Sequence, residues 1–367
     1  MRAAVLEEFS RPLVIREFDR PPLGPRQILV RMRAAGVCGS DIHMWHGHDP
    51  RTPLPIILGH EGVGQVVEVG KSIHPFLSVT GREINPGDRI IWERGVTCGH
   101  CYSCAIRQTP NLCPNRWVYG IHRPSSAPPH LVGCYGDHIV LEPNTIVMHL
   151  DDYKGPSDAL LASTSCSGAT AANAIEAAGI QPGDTVLVQG SGPLGLYLMA
   201  FARAGGASTV IVVGGSPDSL ALAKRLGANL TISYRDTTPD DRADAVRNAA
   251  PHGVDTVLES SGKPESISEG ISVLRTGGAY VSTGFAVPVG TLPLDPYYDI
   301  VRKNLRLQGV WTSHARHLRH ALSLVCRNPE PFEGIVTHKF SLDQATDALQ
   351  AMESRKAIKS AIIMGDS

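Results

Sequence analysis

The apolar positions of the chain fall into two textures. In the first part they form short β-branched runs broken by Gly and Pro, among them "QILVRM", "GVGQVVEVG", "DRIIW" and "DHIVL". Such runs read as the short strands of a β-rich unit. Further on, strand-like runs alternate with segments of helical periodicity: "TVLVQ", "LYLMAFARAG", "TVIVVG", "LALAKRLGA", "VDTVLES", "SISEGISVLRTGG" and "AYVSTG". This alternation predicts a parallel sheet covered by helices, an α/β unit. The last stretch offers a strand, "GIVTHKF", a helix, "SLDQATDALQAMES", and a closing strand, "KSAIIM", and is expected to pack back on the first unit. A chain of 367 residues exceeds what one core usually fills. The expected division is therefore 1–160, 161–311 and 312–367.

Between the first strand and the first helix of the α/β unit stands "VLVQGSGPLG", with Gly190, Gly192 and Gly195 spaced as G-x-G-x-x-G around Pro193 and Leu194. The first glycine permits a tight turn, the second lets backbone approach a pyrophosphate, and the third allows close helix–strand packing. Amides at the helix start then face the phosphates. A strand before, a helix after and the next strand "TVIVV" make this a dinucleotide site. An NAD site carries Asp or Glu after that second strand, for the ribose 2′-hydroxyl. Here the chain reads "VVGGSPD", with Gly214 and Gly215 at that place and Ser216 as an N-cap. Without the carboxylate, nothing repels a 2′-phosphate and Ser216 offers a donor, so NADP is favoured over NAD. The alternative is that Ser216 simply caps the helix.

Charge narrows the class further. Lys and Arg total 34 against 35 Asp and Glu, a net charge of −1, so no general attraction to nucleic acid or anionic membrane is expected. No apolar run approaches the roughly 18–20 residues that span a bilayer. The opening "MRAAVLEEFSR" meets acids too early for a secretory signal. A cytoplasmic protein is expected, and there disulfides are rare.

That setting bears on the cysteines. Four of the eight, Cys98, Cys101, Cys104 and Cys113, lie within "CGHCYSCAIRQTPNLC". A disulfide staple is disfavoured by the compartment, which leaves a structural metal knot, a redox pair or a nucleic-acid knuckle. Cys38 in "AAGVCGSDIHMWHG" and His60 in "LGHEGVG" each sit in a glycine-flanked turn after a short strand, and Cys166 in "STSCSGATAANAI" precedes a helix. Thiolate and imidazole are the usual zinc donors, and three protein ligands leave a catalytic site one open position. Singly each is an ordinary small buried residue; the combination carries the weight.

Together, "CGSDIHMWHG", "LGHEGVGQVVEVG", the four-cysteine run, "CSGATAANAI", the glycine fingerprint and "VDTVLESSG" make the chain resemble the zinc-dependent medium-chain alcohol dehydrogenases over nearly its whole length. The resemblance implies a GroES-like β-rich catalytic domain and a Rossmann doubly wound parallel-sheet domain. It implies a catalytic Zn2+ on Cys38, His60 and Cys166, with Glu61 as an acid able to approach the metal. Ser40 would contact the substrate oxygen, Asp41 would orient His60, and His43 would be the outer proton relay. Cys98, Cys101, Cys104 and Cys113 would hold a second, structural Zn2+, in a run whose last gap is one residue longer than is common. Ser261 and Lys359 would lie on the cofactor, Lys359 at its phosphates. The implied activity is hydride transfer between a small-molecule alcohol, polar or secondary, and NAD(P), in a homodimer or homotetramer. Trp92, Glu93 and Arg94, just ahead of the cysteine run, suggest an oxygen-rich or anionic substrate. The rivals are a polyol or threonine-type dehydrogenase of the same family and a non-catalytic dinucleotide-binding zinc protein.

Overall fold

Two bodies share the chain in the computed structural model, which describes residues 1–73 and 75–365. One comprises Met1–Ala169 with Ser313–Ser367, the other Thr170–Thr312.

The first body is organised by the strand Ile28–Gly36. One edge pairs antiparallel with Glu61–Val69. The other edge is shared: Ile28–Arg31 pair with Leu141–His138, and Ala34–Gly36 pair with Ile363–Ala361. The sheet continues through Arg89–Trp92 to Val147–His149 on one side, and through Lys359–Ile363 to Val336–Phe340 on the other. A separate small sheet joins Val14–Glu17, Arg2–Leu6 and Ile56–Ile57. Ile28, Leu29 and Val30 are buried in succession together with Ile139, Val140, Leu141 and Ile362, so this strand is covered on both faces. The register sets up the site. Gly36 stands opposite both Glu61 and Ala361, which brings the ends of three strands to one place.

In the second body six parallel strands lie in the order Leu230–Ser233, Thr209–Gly214, Thr185–Gln189, Val254–Glu259, Leu274–Ser282 and Arg306–Gly309. In chain order this is 3-2-1-4-5-6, the dinucleotide-binding arrangement. The helices Pro193–Ala204, Pro217–Arg225, Pro239–Ala249 and Glu265–Val273 connect successive strands. The near-continuous apolar runs of the central strands (Val186, Leu187, Val188; Val210, Ile211, Val212) are buried, as expected for a parallel sheet sandwiched between helices. The edge strand Arg306–Gly309 is exposed at all four residues. One segment departs from its sequence pattern. "SISEGISVLRTGG" is helical only to Val273, because Leu274 is buried and pairs with Val254, beginning the next strand early. Among the described residues no helix is long and apolar enough to cross a membrane.

Candidate metal centres and dinucleotide cradle

Cys38 follows the strand Ile28–Gly36 and is the N-cap of the helix Gly39–Trp45. Its amide donates to Asp41 Oδ2 at 2.7 Å, which fixes the thiol at the helix start. His60 and Glu61 stand at the start of the neighbouring strand. Cys166 lies in a π-helical turn, Thr164–Gly168, between the helices Asp158–Ser163 and Ala169–Ala178. One ligand atom each from Cys38, His60, Glu61 and Cys166 lies within 4.8 Å of the others. The Cys38 and Cys166 sulfurs are 3.9 Å apart. A tetrahedron with Zn–S of about 2.3 Å has S···S edges of about 3.8 Å, whereas a disulfide would need about 2.05 Å. The donor set fits a zinc ion.

The surroundings orient these donors. His60 Nδ1 is 3.2 Å from Asp41 Oδ1, and Nε2 is 3.5 Å from Ser40 Oγ. With Nδ1 directed at a carboxylate, Nε2 is the nitrogen left for a metal. Asp41 is fully buried and also accepts from the Tyr135 hydroxyl at 3.0 Å, a contact no sequence signal announces. Burial alone would lower the His60 pKa, but Asp41 and Cys38 hold it up at about 10. Cys38, hydrogen-bonded to Cys166, is held well below the ordinary thiol range, and Cys166 well above it. The raised values of His60 and Cys166 report negative charge gathered where a cation would sit. Glu61 is pushed up to about 7 by burial, with Lys359 pulling the other way. Among the described residues its Oε2 has no hydrogen-bond partner. Gly36 lies directly against that oxygen, since a Cβ at position 36 would stand 1.9 Å from it.

Lys359 stands beside Glu61. It opens an interior strand, is 1% exposed and places Nζ 2.7 Å from Glu61 Oε1. Its charge faces that carboxylate. His43 is half-buried, its ring 6.1 Å from that of His48. Burial first, then His48, lowers its pKa below the ordinary imidazole value. Arg94 and Glu93 are buried: Arg94 Nη1 donates to the Ser165 carbonyl at 2.9 Å, and Glu93 pairs with Arg116 at 3.2 Å.

The sulfurs of Cys98, Cys101, Cys104 and Cys113 form a second group within 4.8 Å. Cys101 to Cys113 is 3.7 Å and Cys113 to Cys98 is 3.6 Å, again the edges of a thiolate tetrahedron. The loop closes on itself through Gly99 at φ +79° and Gln108 at φ +55°, left-handed positions that reverse the chain between ligands. Four thiolates on one short loop suit a closed structural zinc site.

In the second body, Gly190 has φ +112°, and a Cβ on Gly195 would lie 1.8 Å from the Gly190 carbonyl oxygen, so strand and helix meet there without side chains. Gly192 caps the helix Pro193–Ala204 and faces open space. Pro193 and Leu194 supply the first turn, and the cradle fits a pyrophosphate. Gly214 closes the second strand, and Ser216 Oγ accepts from Ser219 N at 3.5 Å as the N-cap of Pro217–Arg225. The Ser261 hydroxyl is engaged with Glu259 at 3.0 Å and Ser266 at 2.7 Å.

Comparison with known proteins agrees with this geometry. Residues 24–152 match the family model described as alcohol dehydrogenase GroES-like domain, and 193–327 that described as zinc-binding dehydrogenase. A 5-exo-hydroxycamphor dehydrogenase of Pseudomonas putida is 33% identical over 98% of each chain. An L-threonine 3-dehydrogenase of Chelativorans sp. (strain BNC1) is 29% identical, covering 98% of this chain and 97% of the relative. Among solved structures, an alcohol dehydrogenase of Thermotoga maritima superposes with a TM-score of 0.94 at 44% identity over 99% of each chain. A putative zinc-binding dehydrogenase of Sinorhizobium meliloti 1021, solved bound to NADP, gives 0.84 at 28% identity over 99% of this chain and 98% of that one.

Proposed function

The chain belongs to the zinc-dependent medium-chain alcohol dehydrogenases, oxidoreductases that exchange hydride between an alcohol and NAD(P), and from that membership we propose the roles of its residues. The observation that carries the proposal is the gathering of Cys38, His60 and Cys166 ligand atoms, with Glu61, inside 4.8 Å. These three hold the catalytic zinc, Glu61 is the carboxylate able to reach it, and Cys98, Cys101, Cys104 and Cys113 hold a structural one. A zinc ion held by the first set would supply Lewis acidity, easing loss of the substrate's hydroxyl proton near neutral pH. The Asp41 carboxylate, 3.2 Å from His60 Nδ1, favours a proton on that nitrogen through its charge. Ser40 Oγ, beside His60 Nε2, takes the hydroxyl proton of the substrate. His43, its pKa lowered by burial, receives it outward.

Gly190, Gly192, Pro193, Leu194 and Gly195 bind the cofactor pyrophosphate. Gly214 and Ser216 lie at its adenosine ribose, where the missing carboxylate favours NADP. The substrate is a polar or secondary alcohol. The names of the hydroxycamphor and threonine 3-dehydrogenase relatives support this. The exposed edge strand Arg306–Gly309, with Trp311 beside it and Tyr297, Tyr298 and Val301 exposed nearby in sequence, supports pairing into a homodimer or homotetramer. We place the protein in the cytoplasm.

Metal analysis with an alcohol panel, followed by NAD(P)H absorbance, tests the reading. Wild type should carry two zinc ions per chain and Cys38→Ser one, with turnover abolished and circular dichroism unchanged. Full turnover by the variant with one zinc fewer sinks the ligand assignment.

A further inference from the structure

The NADP reading leaves a charge unexplained. A 2′-phosphate is ordinarily met by an arginine close to the end of the second strand, and here Gly214, Gly215, Ser216, Pro217 and Asp218 supply none. We propose that Lys263, delivered from the loop after a different strand, is the cation that recognises the 2′-phosphate of NADP, with Tyr234 as the platform that aims it. This inference rests on the NADP reading and names the residue that enforces it.

Three observations converge. Gly215 is buried beneath the Tyr234 ring, and a Cβ at position 215 would lie 2.4 Å from ring carbons and 2.5 Å from the hydroxyl oxygen. The tyrosine thus lies directly over the turn where a ribose-binding carboxylate would otherwise stand, and its hydroxyl reaches that turn. Lys263 Nζ sits 4.6 Å over the same ring, within the range of a cation–π contact. The lysine is thereby held beside the Gly214–Gly215 turn, although Gly215 and Lys263 are 48 positions apart in the sequence.

The third observation concerns the loop that carries it. Glu259, at the end of the strand Val254–Glu259, is fully buried. Its Oε1 accepts from Ser261 N at 2.6 Å, Gly262 N at 2.7 Å and Ser261 Oγ at 3.0 Å. Its Oε2 accepts from Gly284 N at 3.1 Å and Ser282 Oγ at 3.3 Å. Lys263 N in turn donates to Ser261 Oγ at 3.2 Å. The buried carboxylate therefore fixes the backbone up to Lys263, so the lysine is presented from a rigid base. Five donors on Glu259 also satisfy this acid internally, so it is not offered to a ribose hydroxyl. The chemistry selects a dianionic monoester on a ribose, and a 2′-hydroxyl gives Lys263 no charge to meet.

The experiment compares NADPH and NADH on the zinc-loaded protein, by fluorescence-detected Kd and by KM, in wild type, Lys263→Ala and Lys263→Arg. Wild type should bind NADPH more tightly. Lys263→Ala should weaken NADPH by about ten- to a hundredfold, the worth of one charge-assisted contact, leaving NADH within about twofold. Lys263→Arg should restore most of the NADPH affinity, and added salt should erode wild-type discrimination more than that of Lys263→Ala. An equal loss for both cofactors, or no loss for either, overturns the role of Lys263 while leaving the NADP reading intact. Wild type that prefers NADH removes the NADP reading, and this inference falls with it.

Discussion

The buried pair between Lys359 and Glu61 permits a quantitative test. Lys359 is 1% exposed and Glu61 fully buried, with 2.7 Å between Nζ and Oε1. At an effective dielectric of about 20, attraction across that distance is about 6 kcal/mol. Several kcal/mol of desolvation per ion offset it, so the intact pair contributes little net stability. Removing one partner is different, because the other keeps its desolvation cost without compensation. Lys359→Met should therefore destabilise the protein by about 3–5 kcal/mol, a Tm fall on the order of 10 °C for a body of this size. Lys359→Met combined with Glu61→Gln should recover most of that loss, since the neutral amide needs no cation. The assay is urea denaturation of zinc-loaded wild type, both singles and the double, read as a coupling energy. Near-additive single effects would refute the pairing. So would a Lys359→Met variant of normal stability.

Three further outcomes follow from the same geometry. Asp41→Asn loses the carboxylate that orients His60 and should weaken zinc retention against a chelator by about 10–100-fold, while the four-cysteine ion stays. Tyr135→Phe removes the hydroxyl that donates to buried Asp41 and should cost about 1.5–3 kcal/mol in urea titration; a loss below about 0.5 kcal/mol would show that hydrogen bond to be immaterial. His43 has a pKa below 6.5, from burial first and His48 second. The neutral ring is the form favoured by the fold, so stability linked to it is present above pH 6.5 and is lost as pH falls through the lowered value. His43→Ala should flatten stability across that acid window and shift the acid limb of the turnover profile, and unchanged profiles would reduce His43 to packing.

How far the sequence speaks depends on how local each signal is. The cysteine run keeps its ligands inside sixteen residues, so spacing alone suggests a metal knot. The strand–helix alternation around Gly190, Gly192 and Gly195 likewise reflects a local period, and the parallel order follows from it. Cys38 and Cys166 are 128 positions apart, and only the resemblance links them. Tyr135 to Asp41 spans 94 positions and Lys359 to Glu61 spans 298. No periodicity encodes such partners. A lysine in "AIKSAII" looks like any surface lysine until the strand it opens is found between two others. The helix–strand boundary at Leu274 escaped for a related reason, since a partner across the sheet decided it.

The hub strand Ile28–Gly36 draws its partner Lys359–Ile363 from the far side of an entire inserted body. On a ribosome the β-rich half is therefore made first but completed last. Until residue 363 emerges, the Ala34–Gly36 edge has unmet amides and carbonyls and Glu61 has no cation. The nucleotide-binding half, continuous in the chain, has every strand it needs well before then. The usual order of co-translational maturation, N-terminal body first, is inverted here. The unfinished β-rich half must be kept from self-association through that interval.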